Sequence, residues 1–207
     1  MKVLCDSDLE FLFEEIQMLR KLNGAGGAPV LHSVCIDPFI IIQSYVGMPY
    51  EEYLSRSSPN EVLFSLVKLG ERLSEIHQKN LSHNDLKVDN VTVTLLPGGE
   101  ADLHIIDYGE CSVFGMPLDE VYSVMDSARI YWVAPEVKRG DVITRASDVY
   151  SFGHIIHTIY AEFTSFNDSI KTRLRDLHLR AAKVDPEVRL SLDSLIGHLT
   201  ELAHQNQ

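Results

Sequence analysis

The chain alternates between stretches with helical and with strand periodicity. Apolar residues at positions 9, 12, 13, 16 and 19 recur at helical spacing. Ser7-Asp8-Leu9-Glu10 before them has the form of a capping box, with Ser7 as N-cap and Glu10 at N3. Asn23-Gly24, then Gly26, Gly27 and Pro29, break the pattern. The spacing predicts a helix from about residue 8 to about residue 22. On it Glu15 lines up with Leu12 and Leu19 at the edge of the apolar stripe, whereas Glu14 points away with Glu10 and Met18. Val30 to Cys35 and Phe39 to Val46, joined by Asp37-Pro38, have the composition of two strands.

A second capping box, Ser58-Pro59-Asn60-Glu61 with proline at N1, opens a helix with apolar residues at 62, 66, 69, 73 and 76. Val91 to Thr94 and Leu103 to Ile106 flank Pro97-Gly98-Gly99, which predicts a hairpin. From Asp148 to about Phe163 the chain is apolar almost all round, the signature of a buried central helix. A last helix is expected to start near Ser191. A small mixed piece followed by a mainly helical body is an α+β plan.

The 207 residues suit a single domain, and 45% hydrophobic residues are enough for a core. A formal charge of −12 makes nucleic acid and anionic membranes poor partners. Cys5, Cys35 and Cys111 are odd in number and widely spaced, so neither a disulfide framework nor a zinc motif is expected. Asp6, Asp8 and Glu10 interrupt any apolar leader, and no apolar run approaches a membrane span. The default expectation is a soluble, cytoplasmic protein.

Five short motifs then occur in a fixed order. They are His83-Asn84-Asp85-Leu86-Lys87-Val88-Asp89-Asn90, Asp107-Tyr108-Gly109, Ala134-Pro135-Glu136, Asp148-Val149-Tyr150-Ser151-Phe152-Gly153 and Asp185-Pro186-Glu187-Val188-Arg189. Each alone is weak. As an ordered set they resemble the eukaryotic protein kinase superfamily over roughly residues 2–199.

The resemblance implies a kinase fold: a remnant N-lobe of helix C plus two or three strands with the hinge in residues 1–46, and a mainly helical C-lobe in 47–207. It implies ATP and Mg2+ as the phosphoryl donor and its metal. Asp85 is then the carboxylate that takes the acceptor proton, and Lys87 sits beside the transferring phosphoryl group. Asn90 and Asp107 supply the oxygens that a hard cation prefers. Glu15 takes the place of the helix-C glutamate, and its partner is a strand lysine for which Lys2 is the candidate. Gln43 guards the nucleotide pocket, and Ser44, Tyr45 and Val46 form the hinge that bonds adenine. His83, Tyr108, Asp148 and the pair Glu136–Arg189 are structural in the family. His154 and His157 share a helix face and are assigned to packing rather than to metal.

Departures from the family pattern are equally specific. No Gly-x-Gly-x-x-Gly loop precedes Lys2, and Gly24 to Gly27 follow a helix instead of joining two strands. Asn84 replaces the arginine that grips a phosphorylated activation loop. Arg129 stands where serine/threonine kinases carry threonine, while Lys87 resembles that class and Trp132 the tyrosine class. The stretch from Phe163 to Asp185 is short for the helix that docks protein substrates. Two activities follow: phosphoryl transfer to serine or threonine hydroxyls of a protein substrate, less favourably tyrosine, or a pseudokinase that binds a partner kinase. A small-molecule phosphotransferase is disfavoured by Ala134-Pro135-Glu136 and Arg189, which belong to protein kinase architecture.

Overall fold

The structure is a computed structural model that describes residues 6–37, 39–117, 129–162 and 166–206. Helix α1 spans Asp6–Leu22. Ile16, Leu19 and Leu22 are buried on it, while Phe13 is exposed, so the buried stripe is narrower than the apolar pattern suggested. Asn23 and Gly24 turn the chain in the left-handed region, with φ of 49° and 85°, and end the helix as expected. Strands β1 (Leu31–Ile36) and β2 (Phe39–Gln43) form an antiparallel pair. The second strand stops at Gln43, earlier than its apolar run: the Ser44 N–H still donates to the Val30 carbonyl, but the Val30 N–H donates to the Ser44 hydroxyl oxygen instead of a backbone carbonyl.

The turn after α1 docks onto the larger lobe. Gly26, at φ 74°, lies so close to helix α3 (Pro59–Gln78) that a Cβ would fall 2.5 Å from Ile76. Its N–H donates to Glu75, whose carboxylate also meets Arg72 of the same helix. Arg72 continues to the backbone of Leu103 at 3.0 Å and to Asp102 at 2.5 Å. One guanidinium thus ties α3 to the following hairpin, and Glu75 ties α3 to the end of α1.

Helix α3 opens with the expected capping box: Ser58 accepts from the Glu61 N–H and Glu61 accepts from the Ser58 N–H. Val62, Leu63, Leu66, Leu69, Leu73 and Ile76 are fully buried on it. Each such side chain contributes about 1.5–3 kcal/mol at most. Before it, Gly47 leads into β3 (Met48–Pro49) and the short α2 (Tyr50–Leu54). Gly47, at φ 95°, presses against β5 (Val91–Leu95); a Cβ there would lie 2.0 Å from the Val93 carbonyl oxygen. β5 pairs with β6 (Ala101–Ile105) across the predicted hairpin, and β3 joins its other edge.

The remaining short strands, β4 (Leu81–Ser82) and β7 (Ser112–Val113), pair on either side of the site loop. A short α4 (Pro135–Lys138) contributes Val137 to a second cluster with Ile130, Val133, Ala134 and Ile143. Helix α5 (Arg145–Glu162) is buried on most sides, as its all-round apolar sequence predicts. Helix α6 (Asp168–Ala181), a 14-residue helix capped by Asn167, packs along α5 and ends before Asp185-Pro186. Among the described residues this is the one helix between Phe163 and Asp185. Helix α7 (Leu192–His204) starts at its Ser191 cap and covers α3. No described helix is long and apolar enough to cross a membrane.

Candidate active site

The loop after β4 is held from below by one buried carboxylate. Asp148, in the first turn of α5, accepts from the backbone N–H of His83 at 3.0 Å and of Asn84 at 2.9 Å. His77 lies 2.8 Å from its second oxygen. Burial pushes this carboxyl up, but the hydrogen bonds from His77 and Asn84 and the neighbouring imidazoles outweigh it and hold the group below its usual value. Asn84 has φ 64°, a left-handed conformation that asparagine tolerates better than most side chains. Its amide donates to the Glu110 carbonyl at 2.7 Å and to the Ser112 hydroxyl at 2.9 Å. It therefore ties β4 and β7 together instead of reaching toward a phosphate. The His83 ring meets the Ile106 carbonyl at 3.0 Å and packs 5.1 Å from Tyr108.

Alternation sets the next step. Leu86 and Val88 are buried, and Asp85 and Lys87, which alternate with them, project from the loop. Lys87 Nζ lies 2.7 Å from Asp85 Oδ2, and Asn90 Nδ2 donates to the same oxygen at 2.9 Å. Asn90 also donates to the Asp85 carbonyl, and its side-chain oxygen takes no hydrogen bond from another described residue. Asp85 Oδ1 accepts from the Trp132 indole N–H at 2.7 Å. The β5–β6 hairpin then returns the chain: Ile106 N–H donates to the Asn90 carbonyl at 3.0 Å, placing Asp107 beside Asn90. Asp107 is exposed and its φ of 65° is strained for a residue other than glycine.

Helix α1 reaches the same place. Burial raises the Glu15 carboxyl above its usual value, the Asp107 carboxylate raises it further, and the Tyr108 backbone N–H works against both. Among the described residues no lysine or arginine pairs with Glu15. Lys2, the candidate partner, lies outside the described residues. Of the expected hinge residues, Tyr45 is 84% exposed, and the Val46 carbonyl accepts from Thr92 Oγ1 at 2.6 Å. The Ser44 carbonyl and the Val46 N–H take no hydrogen bond within the described residues.

This loop, hairpin and ion-pair frame agrees with a match along the whole chain. A sequence profile of the protein kinase domain matches residues 5–200. The chain belongs to the protein kinase family. Among similar curated kinases are the serine/threonine-protein kinase PrkC of Bacillus subtilis and the probable serine/threonine-protein kinase fnkB of Dictyostelium discoideum. The first is 23% identical over 170 residues, 77% of this chain and 25% of the relative. The second is 26% identical over 165 residues, 75% of this chain and 30% of the relative. The mouse tyrosine-protein kinase Srms is 27% identical over 171 residues, 77% of this chain and 33% of the relative. The chain thus spans about a quarter to a third of the length of these kinases.

In this kinase fold the structural pairs fall into place. Arg189 meets Glu136 through both terminal nitrogens, the second at 2.6 Å, with both side chains buried. The role of Trp132 at Asp85 was missed in the sequence, although a single tryptophan two residues before Ala134-Pro135-Glu136 was a usable signal. His178 was missed as well. From α6 it faces His154 and His157 of α5, with ring centroids 5.4 and 4.7 Å away. Both nitrogens of His154 are buried without a hydrogen-bond partner among the described residues. Burial first, then the neighbouring imidazoles, lower His154 and His178 to about 4. Among the described residues no group of three such side chains is arranged to hold a metal ion.

Proposed function

We propose that this protein kinase domain transfers the terminal phosphoryl group of ATP, in the presence of Mg2+, to a serine or threonine hydroxyl of a protein. The observation that carries this reading is the convergence of Lys87, Asn90 and Trp132 on the Asp85 carboxylate, with Asp107 returned beside Asn90. The residues suit the group. The side-chain oxygen of Asn90 and the carboxylate of Asp107, neither with a hydrogen bond to another described residue, form the neutral-plus-anionic oxygen set a hard cation prefers. The Glu15–Asp107 repulsion also calls for positive charge there. The Ser44 carbonyl and Val46 N–H offer an acceptor and a donor to an adenine edge.

When bound, Mg·ATP supplies the phosphoryl group and the cation that neutralises it. Asp85 takes the proton of the acceptor hydroxyl, whose oxygen bonds to phosphorus as the bond to the departing diphosphate breaks. Lys87 places its ammonium beside the negative charge. Lysine two residues after Asp85 resembles the serine/threonine class, and this supports that acceptor over tyrosine.

A second reading is a pseudokinase that binds a partner kinase. Asn84 favours it, since its amide is committed to Glu110 and Ser112 and offers no cation to a phosphorylated activation loop. Phosphate transfer from labelled Mg·ATP to a generic basic protein, compared with Asp85→Asn, separates the two. Transfer that vanishes in the variant supports the enzyme. Nucleotide binding without Asp85-dependent transfer supports the binding module.

A further inference from the structure

Trp132 is the single tryptophan of the chain, and it touches both members of the transfer pair. Its indole N–H donates to Asp85 Oδ1 at 2.7 Å, and the Lys87 ammonium lies 5.0 Å from its ring centroid. The residue is anchored from behind. Ser151 of α5 donates its hydroxyl to the Trp132 carbonyl at 2.8 Å, and Tyr131 stands edge-on at 5.2 Å. The ring packs against the second cluster around Val133 and Ile143.

An ionised carboxylate offers about four lone-pair positions. Asp85 gives two of them, on Oδ2, to Lys87 and Asn90, and one, on Oδ1, to Trp132. Among the described residues, the position left over lies on Oδ1, the oxygen that the indole holds.

We propose that Trp132 is a positioning residue for phosphoryl transfer: its indole N–H fixes Asp85 Oδ1 so that the remaining lone pair receives the acceptor's hydroxyl proton. The role rests on the phosphotransfer reading of the site. In the step, the acceptor O–H bond breaks and its proton passes to Oδ1. The acceptor oxygen bonds to the terminal phosphorus of a nucleoside triphosphate, and the nucleoside diphosphate leaves with the electrons of the broken phosphorus–oxygen bond. Without the indole, Lys87 and Asn90 hold only Oδ2, and the carboxylate is free to turn about its Cβ–Cγ bond. Misalignment of the receiving lone pair lowers the chemical step and leaves nucleotide affinity alone.

Two measurements on the full chain test this. With one tryptophan, a nitrogen-15 spectrum holds one indole N–H signal. It is expected downfield, and in Asp85→Asn it moves upfield and exchanges faster with water. A signal that does not respond to Asp85→Asn overturns the contact. In a Mg·ATP transfer assay, Trp132→Phe keeps the ring and removes the donor. The expected loss is about ten- to a hundredfold in kcat, with the KM for ATP little changed and the thermal midpoint retained. An unchanged or higher kcat overturns the positioning role even where the indole signal confirms the bond. Absence of Asp85-dependent transfer in the unmodified chain is a different result. It removes the phosphotransfer reading, and the catalytic role of Trp132 goes with it.

Discussion

The carboxylate of Asp148 and the backbone N–H of Asn84 meet at 2.9 Å in the interior, with Asp148 fully buried. The same oxygen takes the His83 N–H, so a side chain of α5 shapes a loop 64 residues earlier in the chain. Asp148→Ala leaves two backbone donors and His77 without their acceptor. Each orphaned group costs about 1–3 kcal/mol, and the expected total is a loss of several kcal/mol in urea unfolding. A loss below about 1 kcal/mol contradicts the anchor.

Stability is expected to fall on acidification in two stages. His154 and His178 are lowered to about 4 in the fold, from the ordinary imidazole value of 6.5. Between those values the unfolded chain binds more protons, so stability drops as pH falls from 6.5 toward 4. Asp148 is held below 3.8, so its contribution is complete above that value and is lost as pH falls further. Urea midpoints against pH check this, and His178→Gln is expected to flatten the upper stage only.

Glu15 has the opposite sign. Its carboxyl is raised by burial and by Asp107, so the fold holds its proton more firmly than the unfolded chain. Its contribution to stability is greatest in acid and declines as pH rises from 4.5 through the folded value. At neutral pH, Glu15→Gln therefore raises the thermal midpoint. Millimolar Mg2+ is expected to raise the midpoint of the unmodified chain, and Asp107→Asn to remove most of that rise. Equal Mg2+ responses in the two proteins contradict a cation site at Asp107.

The Glu136–Arg189 pair is buried, and Arg189 also donates to the carbonyls of Ala146, Lys183 and Val184. Breaking it from one side strands a charge in the interior. Arg189→Ala or Glu136→Ala is expected to cost about 3–5 kcal/mol. Replacing both by apolar residues of similar size should cost less than the sum of the single changes. Additive losses in a double-mutant cycle argue against direct coupling.

Phosphorylation between Asp107 and Glu136 is not expected to raise activity. Asn84 presents a neutral amide, already committed to Glu110 and Ser112, and no bidentate cation. Tyr122, Ser123 and Ser127 lie outside the described residues; Ser112 and Tyr131 lie within them. At Ser112 a phosphate displaces the Asn84 contact, and a lower thermal midpoint is the expected result. A phosphate-dependent gain in transfer rate at any of these five positions contradicts the assignment.

The amino-acid sequence by itself determined the helix after the Ser58 capping box, the central helix from about Asp148 to about Phe163, the last helix from near Ser191 and the hairpin around Pro97-Gly98-Gly99. Caps, glycine turns and apolar spacing are local signals, and these elements carry them within a few residues. It also singled out Asp85, Lys87, Asn90 and Asp107, because five ordered motifs stand out without any contact being known. Only the tertiary structure decided who meets whom. Trp132 reaches Asp85 across 47 positions, and His178 meets His157 from another helix. It also decided that Phe13 stays outside the core and that β2 ends at Gln43. Those outcomes depend on packing between distant segments and on which donors find acceptors once water is excluded. A periodic pattern names the face that a residue occupies, but not the neighbour that the fold brings to it.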